Sequence, residues 1–461
     1  MSATLAGVLL YVLVQLGIGA WVARRIRTED DYLVAGRRLG YGLGIFTIFA
    51  TWFGAETVIG AAGRIYADGL SGGSADPFGY ALCIFIMGAV FAVPLWRRRL
   101  TTMADLFRQR FSAGVERFAV LLMVPTSLLW AAAQVRAFGQ VLSASSSLEV
   151  HLAITLAAAV VIVYTMSGGL MADAVTDLIQ GIALMGGLAL LAWAVLRDGS
   201  GADALRSIEP ERLQLLGGGR IPLLEVLESW AIPVFGSVVA AELVARIIAI
   251  RSPVIARRSC FAAGGIYLAI GMIPVLLGLA GARLIPGLEH PEQVLPLLAR
   301  QHLPGALYLL FAGALVSAIL STVDSALLVS ASLVSHNIIV PLRPAMSERS
   351  KVRVARAGVS VFGVIAWLMA LYAEGVYHLV EQASAFGSAG IVVIVAFGLF
   401  SRRGGPASAF ASLIAGAAVW IVGSYVLGLP FAYLAALASA LLAYVAAAAI
   451  EGRRPPGPAA A

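Results

Sequence analysis

The chain has 461 residues, of which 60% are apolar and only 12% are charged. A soluble domain carries about 25% charged residues, so the composition excludes a soluble protein and predicts one membrane domain over residues 1–461, surrounded by the lipid bilayer. The formal charge of +7 comes from Arg residues in particular loops and does not indicate a nucleic-acid partner. Cys83 and Cys260 have neither metal-ligand nor disulfide spacing and are interpreted as small buried residues.

Apolar stretches that could cross a membrane recur along the whole chain. A spanning helix needs about 20 apolar residues, and this rule gives about thirteen candidates. They cover 3–22, 41–66, 77–96, 115–144, 150–168, 174–196, 222–249, 259–282, 304–340, 354–374, 376–400, 407–428 and 430–450. The first has no basic residues before it and no A-x-A site, so we interpret it as a span rather than a signal peptide. The sequence predicts an all-α membrane protein.

Arg and Lys residues are concentrated in alternate loops. Such residues are enriched on the cytoplasmic side of membrane proteins. The rich loops lie at 24–38, 97–117, 251–258, 343–356, 402–403 and 453–454, and the loops between them hold far fewer. This alternation predicts a multi-pass protein of the cell (inner) membrane, with its N-terminus outside and its C-terminus in the cytoplasm.

Three predicted segments depart from plain helices. Segment 41–66 is rich in Gly, segment 222–249 has a Pro and a Gly near its centre, and segment 304–340 is too long for one passage. Interrupted helices at corresponding positions of two halves are typical of secondary transporters. Since the first two are the second and seventh segments, we expect a five-plus-five inverted-repeat core over 41–400. The peripheral helices are then 3–22, 407–428 and 430–450.

One face of segment 304–340 carries hydroxyl groups. Ala318, Ser321, Thr322 and Ser325 are spaced i, i+3, i+4 and i+7, which places them on one side of a helix. Oxygen ligands suit hard cations such as sodium, although a hydroxyl in a membrane helix also bonds to its own i−4 carbonyl. Asp324 lies beside them, and an acid inside a span costs roughly 3 kcal/mol, which makes it a functional candidate.

The Gly-rich stretch 50–57 is a candidate break in the second segment. At a break, the first half-helix ends in free carbonyls with a partial negative charge, and the second begins with free N–H groups. We expect the carbonyls of Ala50 and Phe53 to face the hydroxyls of Ser321 and Thr322. The carbonyl of Ala318 would complete a cage of oxygens around a cation.

Three side chains near these segments have two interpretations. Trp52 is either an ordinary packing aromatic or part of a binding site. Glu56 lies at mid-membrane depth, where an acid is a functional candidate. Asp177 lies near the start of a predicted helix, so it is either a first-turn acid favoured by the helix dipole or a functional acid.

Three motifs together resemble the sodium/solute symporter family, which has the leucine-transporter type of fold. The first is Tyr164-Thr165-Met166-Ser167-Gly168-Gly169-Leu170, which leads into Thr176-Asp177-Leu178-Ile179-Gln180. The second is Ser321-Thr322-Val323-Asp324-Ser325, and the third is the stretch 50–60. Their order and spacing agree with the family over nearly the whole chain.

The resemblance implies sodium as the co-transported ion, with no organic cofactor. The family's usual sodium site falls on the carbonyls of Ala50, Phe53 and Ala318 and on the hydroxyls of Ser321 and Thr322. A second sodium site, present in some members, maps to Asp177, Ser321, Asp324 and Ser325. In several relatives the position of Asp324 is Ser, so its carboxylate is expected to bind either sodium or a proton.

Within the family, the chain looks most similar to choline-transporter-like members. Trp52 and Trp130 correspond to two sides of their tryptophan box, whose aromatic faces suit a quaternary ammonium. The third position falls on Ala240, a departure from the family's Trp. The polar residues expected to face the solute are Glu56, Thr57, Gln134 and Glu242. For Glu242, a salt bridge to Arg246 one turn further on is the alternative.

The sequence thus predicts a sodium-coupled symporter of a small organic solute, cationic or zwitterionic, that works by alternating access. A monomer is expected to suffice for transport. The alternatives are a proton-coupled transporter, in which Asp324 titrates, and a membrane sensor with the transporter fold. An enzyme is not expected, because the sequence contains no nucleophile–base pair, metal-ligand cluster or cofactor motif.

Overall fold

A computed structural model describes most of the chain beyond its first residues. The described residues are 13–14, 17–18, 21–22, 24, 26–144, 148–197, 199–219, 221–373 and 375–451. The predicted span 3–22 therefore lies largely outside the described residues.

The described residues form helices and short π- and 3₁₀-helical turns, with no strand. The α-helices are α1 (Glu29–Val34), α2 (Tyr41–Trp52), α3 (Ala62–Asp68), α4 (Tyr80–Ile86), α5 (Ala92–Arg97), α6 (Ala104–Arg110), α7 (Ala113–Ala144), α8 (Val150–Arg197), α9 (Ser200–Arg206), α10 (Leu223–Ala231), α11 (Ala241–Ala249), α12 (Pro253–Leu284), α13 (Val294–His302), α14 (Gly305–Val334), α15 (Val340–Leu342), α16 (Glu348–Tyr372), α17 (Val376–Ala385), α18 (Ser388–Phe400), α19 (Pro406–Ile421) and α20 (Ala432–Glu451). The prediction of an all-α membrane fold is confirmed.

Ten of the described helical stretches are long and apolar enough to cross a membrane. The bent pair α2 and Glu56–Asp68 raises the count to eleven if it forms one span, and Val150–Val163 is an additional shorter apolar helix. These stretches overlap every predicted segment from 41–66 onward. The number of thirteen spans stays a prediction.

The predicted break in the second segment is present. Helix α2 ends at Trp52, and Phe53 leaves the helical region with φ −92° and ψ 72°. The chain resumes as a π-helical turn at Glu56–Ala61, and the two halves meet at an angle of 51°. The break leaves backbone groups of both halves without helical partners in the middle of the protein.

The seventh predicted segment is also interrupted. After α10 the chain forms a π-helical turn at Ile232–Gly236, and Ala240 is extended, with φ −56° and ψ 140°, before α11 begins. Gly236 is needed here because a Cβ atom would lie 2.2 Å from the carbonyl oxygen of Ser384. The two interrupted helices are joined at one end, where Leu39 pairs with Ile250 through their backbones. Both breaks fall in the predicted positions; the inverted repeat itself stays a prediction.

The two predicted segments 150–168 and 174–196 run into one another through a sharp turn at Gly169. Its φ of 59° and ψ of 179° define a conformation that essentially only Gly adopts. A Cβ atom there would lie 2.6 Å from the ring of Tyr32 in α1. Gly169 therefore lets the turn pack closely against α1.

Arg-rich loops that lie far apart along the chain contact each other. Arg110 donates to the carbonyl of Arg403 at 3.1 Å, across almost three hundred residues of chain. Two loops predicted to lie on the opposite side also contact each other, where Arg212 donates to the carbonyl of Tyr66 at 2.6 Å. The contacts between loops thus agree with the alternation of charge along the sequence.

We expect Gly169→Ala to destabilise the protein. A side chain in this backbone conformation costs about 1–3 kcal/mol, and its clash with Tyr32 adds to that cost. The measurement is the midpoint of thermal unfolding in detergent, which should fall by several degrees. Gly186→Ala in the same helix is the matched control, because its Cβ atom would meet no heavy atom within 4 Å. Equal midpoints for the two variants would contradict this account of the turn.

Candidate functional site

Two hydroxyl groups of α14 face the end of α2. Ser321 Oγ lies 2.7 Å and Thr322 Oγ1 lies 3.3 Å from the carbonyl oxygen of Ala50. Thr322 Oγ1 also lies 3.3 Å from the carbonyl oxygen of Ala318 in its own helix. Four of the five predicted sodium ligands are therefore brought together across two helices, and the fifth, Phe53, caps the same half-helix.

The carbonyl of Ala50 lacks its helical amide partner because the helix is held open. In a continuous helix the amide of Gly54 would donate to Ala50, but here it donates to Glu56 Oε1 at 3.2 Å. The next amide, that of Ala55, donates to Gln134 Oε1 at 3.0 Å. Gln134 Nε2 donates in turn to Glu56 Oε2 at 2.7 Å. The side chains of Glu56 and Gln134 thus accept the hydrogen bonds that these two amides would donate to carbonyls in a continuous helix.

Gly54 allows this close packing. A Cβ atom at this position would lie 2.6 Å from Thr322 Oγ1, 2.7 Å from Glu56 Oε2 and 3.0 Å from Gln134 Oε1. The three side chains thus converge on one backbone position. Chemically, the arrangement offers hydroxyl and carbonyl oxygens to a hard cation at the negative end of a half-helix.

A buried arginine lies close to these hydroxyls. The guanidinium of Arg246 on α11 is fully buried and forms hydrogen bonds with Asp173 and Ser325. Its Nε donates to Thr51 Oγ1 at 2.9 Å, and it lies 4.0 Å from Asp177. Asp173 was missed as a candidate by the sequence analysis, although it lies only four residues after Gly169 of the motif.

Two of the residues predicted for a second sodium site each accept a hydrogen bond from a buried threonine. Asp177 accepts a hydrogen bond from Thr47 at 2.5 Å, while Asp324 accepts one from Thr165. Asp177 lies two turns beyond the bend at Gly169, not in the first turn of a helix. Its interpretation as a first-turn acid is therefore wrong.

A second polar cluster adjoins the break on its other side. Thr57 donates to Asp76 Oδ2 at 2.6 Å, and the hydroxyl of Tyr267 donates to Asp76 Oδ1 at 2.9 Å. The Thr57 and Tyr267 hydroxyl oxygens are 2.9 Å apart. Sequence reasoning missed Asp76 and Tyr267, because one lies just before a predicted span and the other looks like an ordinary aromatic of an apolar helix.

Three aromatic side chains pack together beside the break. The ring centroids of Trp52 and Trp130 are 6.0 Å apart, and those of Trp130 and Tyr80 are 6.1 Å apart. The indole Nε1 of Trp52 is buried and has no hydrogen-bond partner among the described residues. Trp52 and Trp130 are brought together as predicted, whereas Tyr80 was missed.

Two cavities lie next to this aromatic group. The first, which we call the Trp130 cavity, has an empty volume of ≈ 430 Å³ and is lined by Ser127, Trp130, Ser237, Ala240, Glu242 and Ser388, among others. The second, the Asp76 cavity, has an empty volume of ≈ 420 Å³ and is lined by Glu56, Asp76, Tyr80, Ser229 and Glu381, among others.

Glu242 is directed at the first cavity. Its carboxylate accepts a hydrogen bond from Ser127, while Arg246 is paired with the aspartates of α8. The alternative of a salt bridge between Glu242 and Arg246 is therefore wrong. Three of the predicted solute residues line the Trp130 cavity, and the others lie around the break. They are Trp130, Ala240 and Glu242 for the cavity, and Trp52, Glu56, Thr57 and Gln134 for the break.

The chain matches one family over most of its length. The model of the sodium:solute symporter family matches residues 32–416. The high affinity choline transporter 1 of Homo sapiens is 28% identical over 461 aligned positions, which cover 93% of this chain and 77% of that protein. The high-affinity choline transporter 1 of Drosophila melanogaster is 28% identical over 83% of this chain, which spans 64% of the length of that relative.

The fold also matches a solved structure over almost its whole length. The substrate-bound, outward-open structure of a Na⁺-coupled sialic acid symporter superposes with a TM-score of 0.86 and covers 98% of each chain. The two sequences are 19% identical, so this likeness concerns the arrangement of the helices.

Proposed function

The chain belongs to the sodium:solute symporter family, and we propose that it couples the inward movement of sodium to that of a small cationic or zwitterionic organic solute. Family membership confirms the prediction of a multi-pass membrane transporter and not an enzyme. One observation carries the proposal. Two hydroxyl groups of α14 contact the carbonyl of Ala50, which has lost its helical partner, and this contact lies beside the aromatic group.

Sodium would bind where α2 and α14 meet. In the structure, the hydroxyl groups of Ser321 and Thr322 donate hydrogen bonds to the Ala50 carbonyl. A sodium ion between the helices would receive lone pairs from these same oxygens, so the ion would tie the broken helix to α14 more strongly than the hydrogen bonds do. Binding of sodium is then linked to the position of α2.

The same break positions the solute site. Trp52 is the last residue of α2 and packs on Trp130, so an ion that fixes the end of α2 also fixes one wall of the solute site. Two ligands that stabilise the same arrangement raise each other's affinity. This linkage is the physical basis that we propose for coupling.

The Trp130 cavity favours a solute that carries a positive charge. Indole faces attract cations, and Glu242 supplies a carboxylate at the same cavity. Ala240 leaves open the volume that a third indole would occupy. The choline-transporter relatives support an ammonium-bearing solute, and the small side chain of Ala240 favours a solute larger than one enclosed by three indoles.

The buried acids near Arg246 favour a second cation in the transport cycle. Asp173 and Asp177 lie on the same helix as Thr165, which binds Asp324. Each of the two α8 aspartates has one oxygen without a hydrogen-bond partner in the described part of the chain. Buried carboxylates need compensating charge, and the one guanidinium of Arg246 does not balance both Asp173 and Asp177. Sodium is the occupant that we propose.

The Arg-rich end of the bundle is proposed to face the cytoplasm. Sodium would enter from the opposite end, and a membrane potential contributes roughly 2.3 kcal/mol per charge per 100 mV to its inward movement. The interrupted helices would then move against α7, α8, α14 and α16, and would open the solute site inward.

We expect Thr322→Ala to weaken sodium binding. Loss of one oxygen ligand to a cation should raise the sodium concentration for half-maximal uptake roughly tenfold or more. Ser330→Ala is the matched control, because this buried hydroxyl of α14 donates to the carbonyl of Ala326 in its own helix. Uptake into proteoliposomes is measured at fixed pH while sodium is varied. Normal sodium dependence in Thr322→Ala, or uptake that follows pH and not sodium, would contradict the proposal.

We expect Trp130→Leu to weaken solute binding while leaving the sodium affinity measured without solute unchanged. Loss of the ring face removes a cation–π contact, which corresponds to roughly 3–30-fold in affinity. Trp193→Leu is the control, because this side chain is 55% exposed on the surface of α8. The readout is solute binding by calorimetry at saturating sodium. An equal loss in both variants would count against the assignment of the Trp130 cavity.

A further inference from the structure

The side chains of Glu56 and Gln134 occupy an unusual position, because both bond to backbone amides inside the helix break. Glu56 lies one turn after Trp52 and is 2% exposed, and Gln134 on α7 is fully buried. Together they accept from the two amides of Gly54 and Ala55 at 3.2 and 3.0 Å. These amides are the ones that a regular helix would direct at the carbonyls of Ala50 and Thr51.

The two side chains satisfy each other's remaining hydrogen-bonding capacity on the side that faces the break. Gln134 Nε2 donates to Glu56 Oε2 at 2.7 Å. One oxygen of the Glu56 carboxylate therefore accepts from a backbone amide, and the other accepts from the side-chain amide of Gln134. Buried amides must be hydrogen-bonded. If Glu56 and Gln134 were unable to accept, the amides of Gly54 and Ala55 would regain helical partners by closing the break.

We infer that Glu56 and Gln134 are positioning residues that keep the second helix open and thereby free the Ala50 carbonyl for sodium. The inference rests on the sodium site proposed above and gives these two residues a role other than contact with the solute. It also gives a reason why the two residues lie on different helices. Glu56 belongs to the moving broken helix and Gln134 belongs to α7, so their bond ties the break to a neighbouring helix.

A competing interpretation is that Glu56 acts through its charge, by attracting the cation directly. The structure allows a test, because the two explanations differ in the sign of one effect. Gln134→Glu adds a carboxylate close to Thr322, which would tighten sodium binding if charge were decisive. If hydrogen bonding is decisive, the same variant weakens sodium binding at alkaline pH, because the proton that two facing carboxyl groups share at lower pH is then lost, and the bond between the two side chains is lost with it.

The experiment is a swap of the two side chains. The variants are Glu56→Gln, Gln134→Glu and the double variant that carries both changes, and the readout is the sodium dissociation constant measured by calorimetry without solute, at neutral and at alkaline pH. In Glu56→Gln, two amide groups face each other, and turning either one breaks a bond to the backbone. In the double variant, every hydrogen bond is restored with donor and acceptor exchanged between the two positions.

We expect Glu56→Gln at both pH values, and Gln134→Glu at alkaline pH, to bind sodium roughly tenfold more weakly or worse, and the double variant to recover most of the affinity of the parent. Glu116→Gln is the matched control. It breaks another buried bond between a side-chain amide and a carboxylate, the one from Asn337 Nδ2 to Glu116 Oε1 at 2.8 Å, far from the break. Its sodium affinity should equal that of the parent.

The inference is overturned if both single variants bind sodium like the parent at alkaline pH, if Gln134→Glu binds it more tightly there, or if the double variant is as weak as the singles. If a single variant does not fold, the double variant decides, because it retains the size and total charge of the pair. Failure of the sodium site itself is recognised separately, since Thr322→Ala would then leave sodium binding unchanged.

Discussion

A backbone carbonyl released from its helix meets two hydroxyl groups of a neighbouring helix, and the arrangement of the whole site depends on that contact. In lipid, a free carbonyl must find a partner within the protein. Ser321 and Thr322 supply it across 2.7 and 3.3 Å. The contact joins α2 to α14, and through Trp52 it also sets the position of the aromatic group.

The neighbouring residues are arranged around this constraint. On one side, Glu56 and Gln134 hold the amides that would close the helix. On the other, Arg246 binds the aspartates of α8 and the hydroxyl of Thr51. The oxygens proposed for sodium therefore lie between a hydrogen-bonded amide layer and a buried ion pair, while the solute cavity lies beyond the indole of Trp130.

Features with a local cause could be predicted from the sequence. The Gly-rich stretch around Gly54 indicates a break, and the spacing of Ser321 and Thr322 places both hydroxyls on one helix face. The all-helical architecture follows from the apolar segments. The alternatives for Asp177 and Glu242 were wrong for a related reason, since each assumed that the nearest feature along the chain would be the partner.

Features that depend on tertiary contacts could not be predicted in this way. Asp76 and Tyr267 meet across 191 residues, and Asp173 meets Arg246 across 73. No local sequence pattern predicts such pairs. In a single sequence, an acid near a helix end or a tyrosine in an apolar helix cannot be distinguished from others of its kind.

The most direct test is a difference density map between experimental structures determined in sodium and in a sodium-free medium. The account predicts a density peak enclosed by the carbonyl oxygen of Ala50 and the hydroxyl oxygens of Ser321 and Thr322, with both hydroxyls turned away from hydrogen bonding to that carbonyl. A map at saturating sodium with no peak there, and with both hydroxyls still bonded to Ala50, would contradict it.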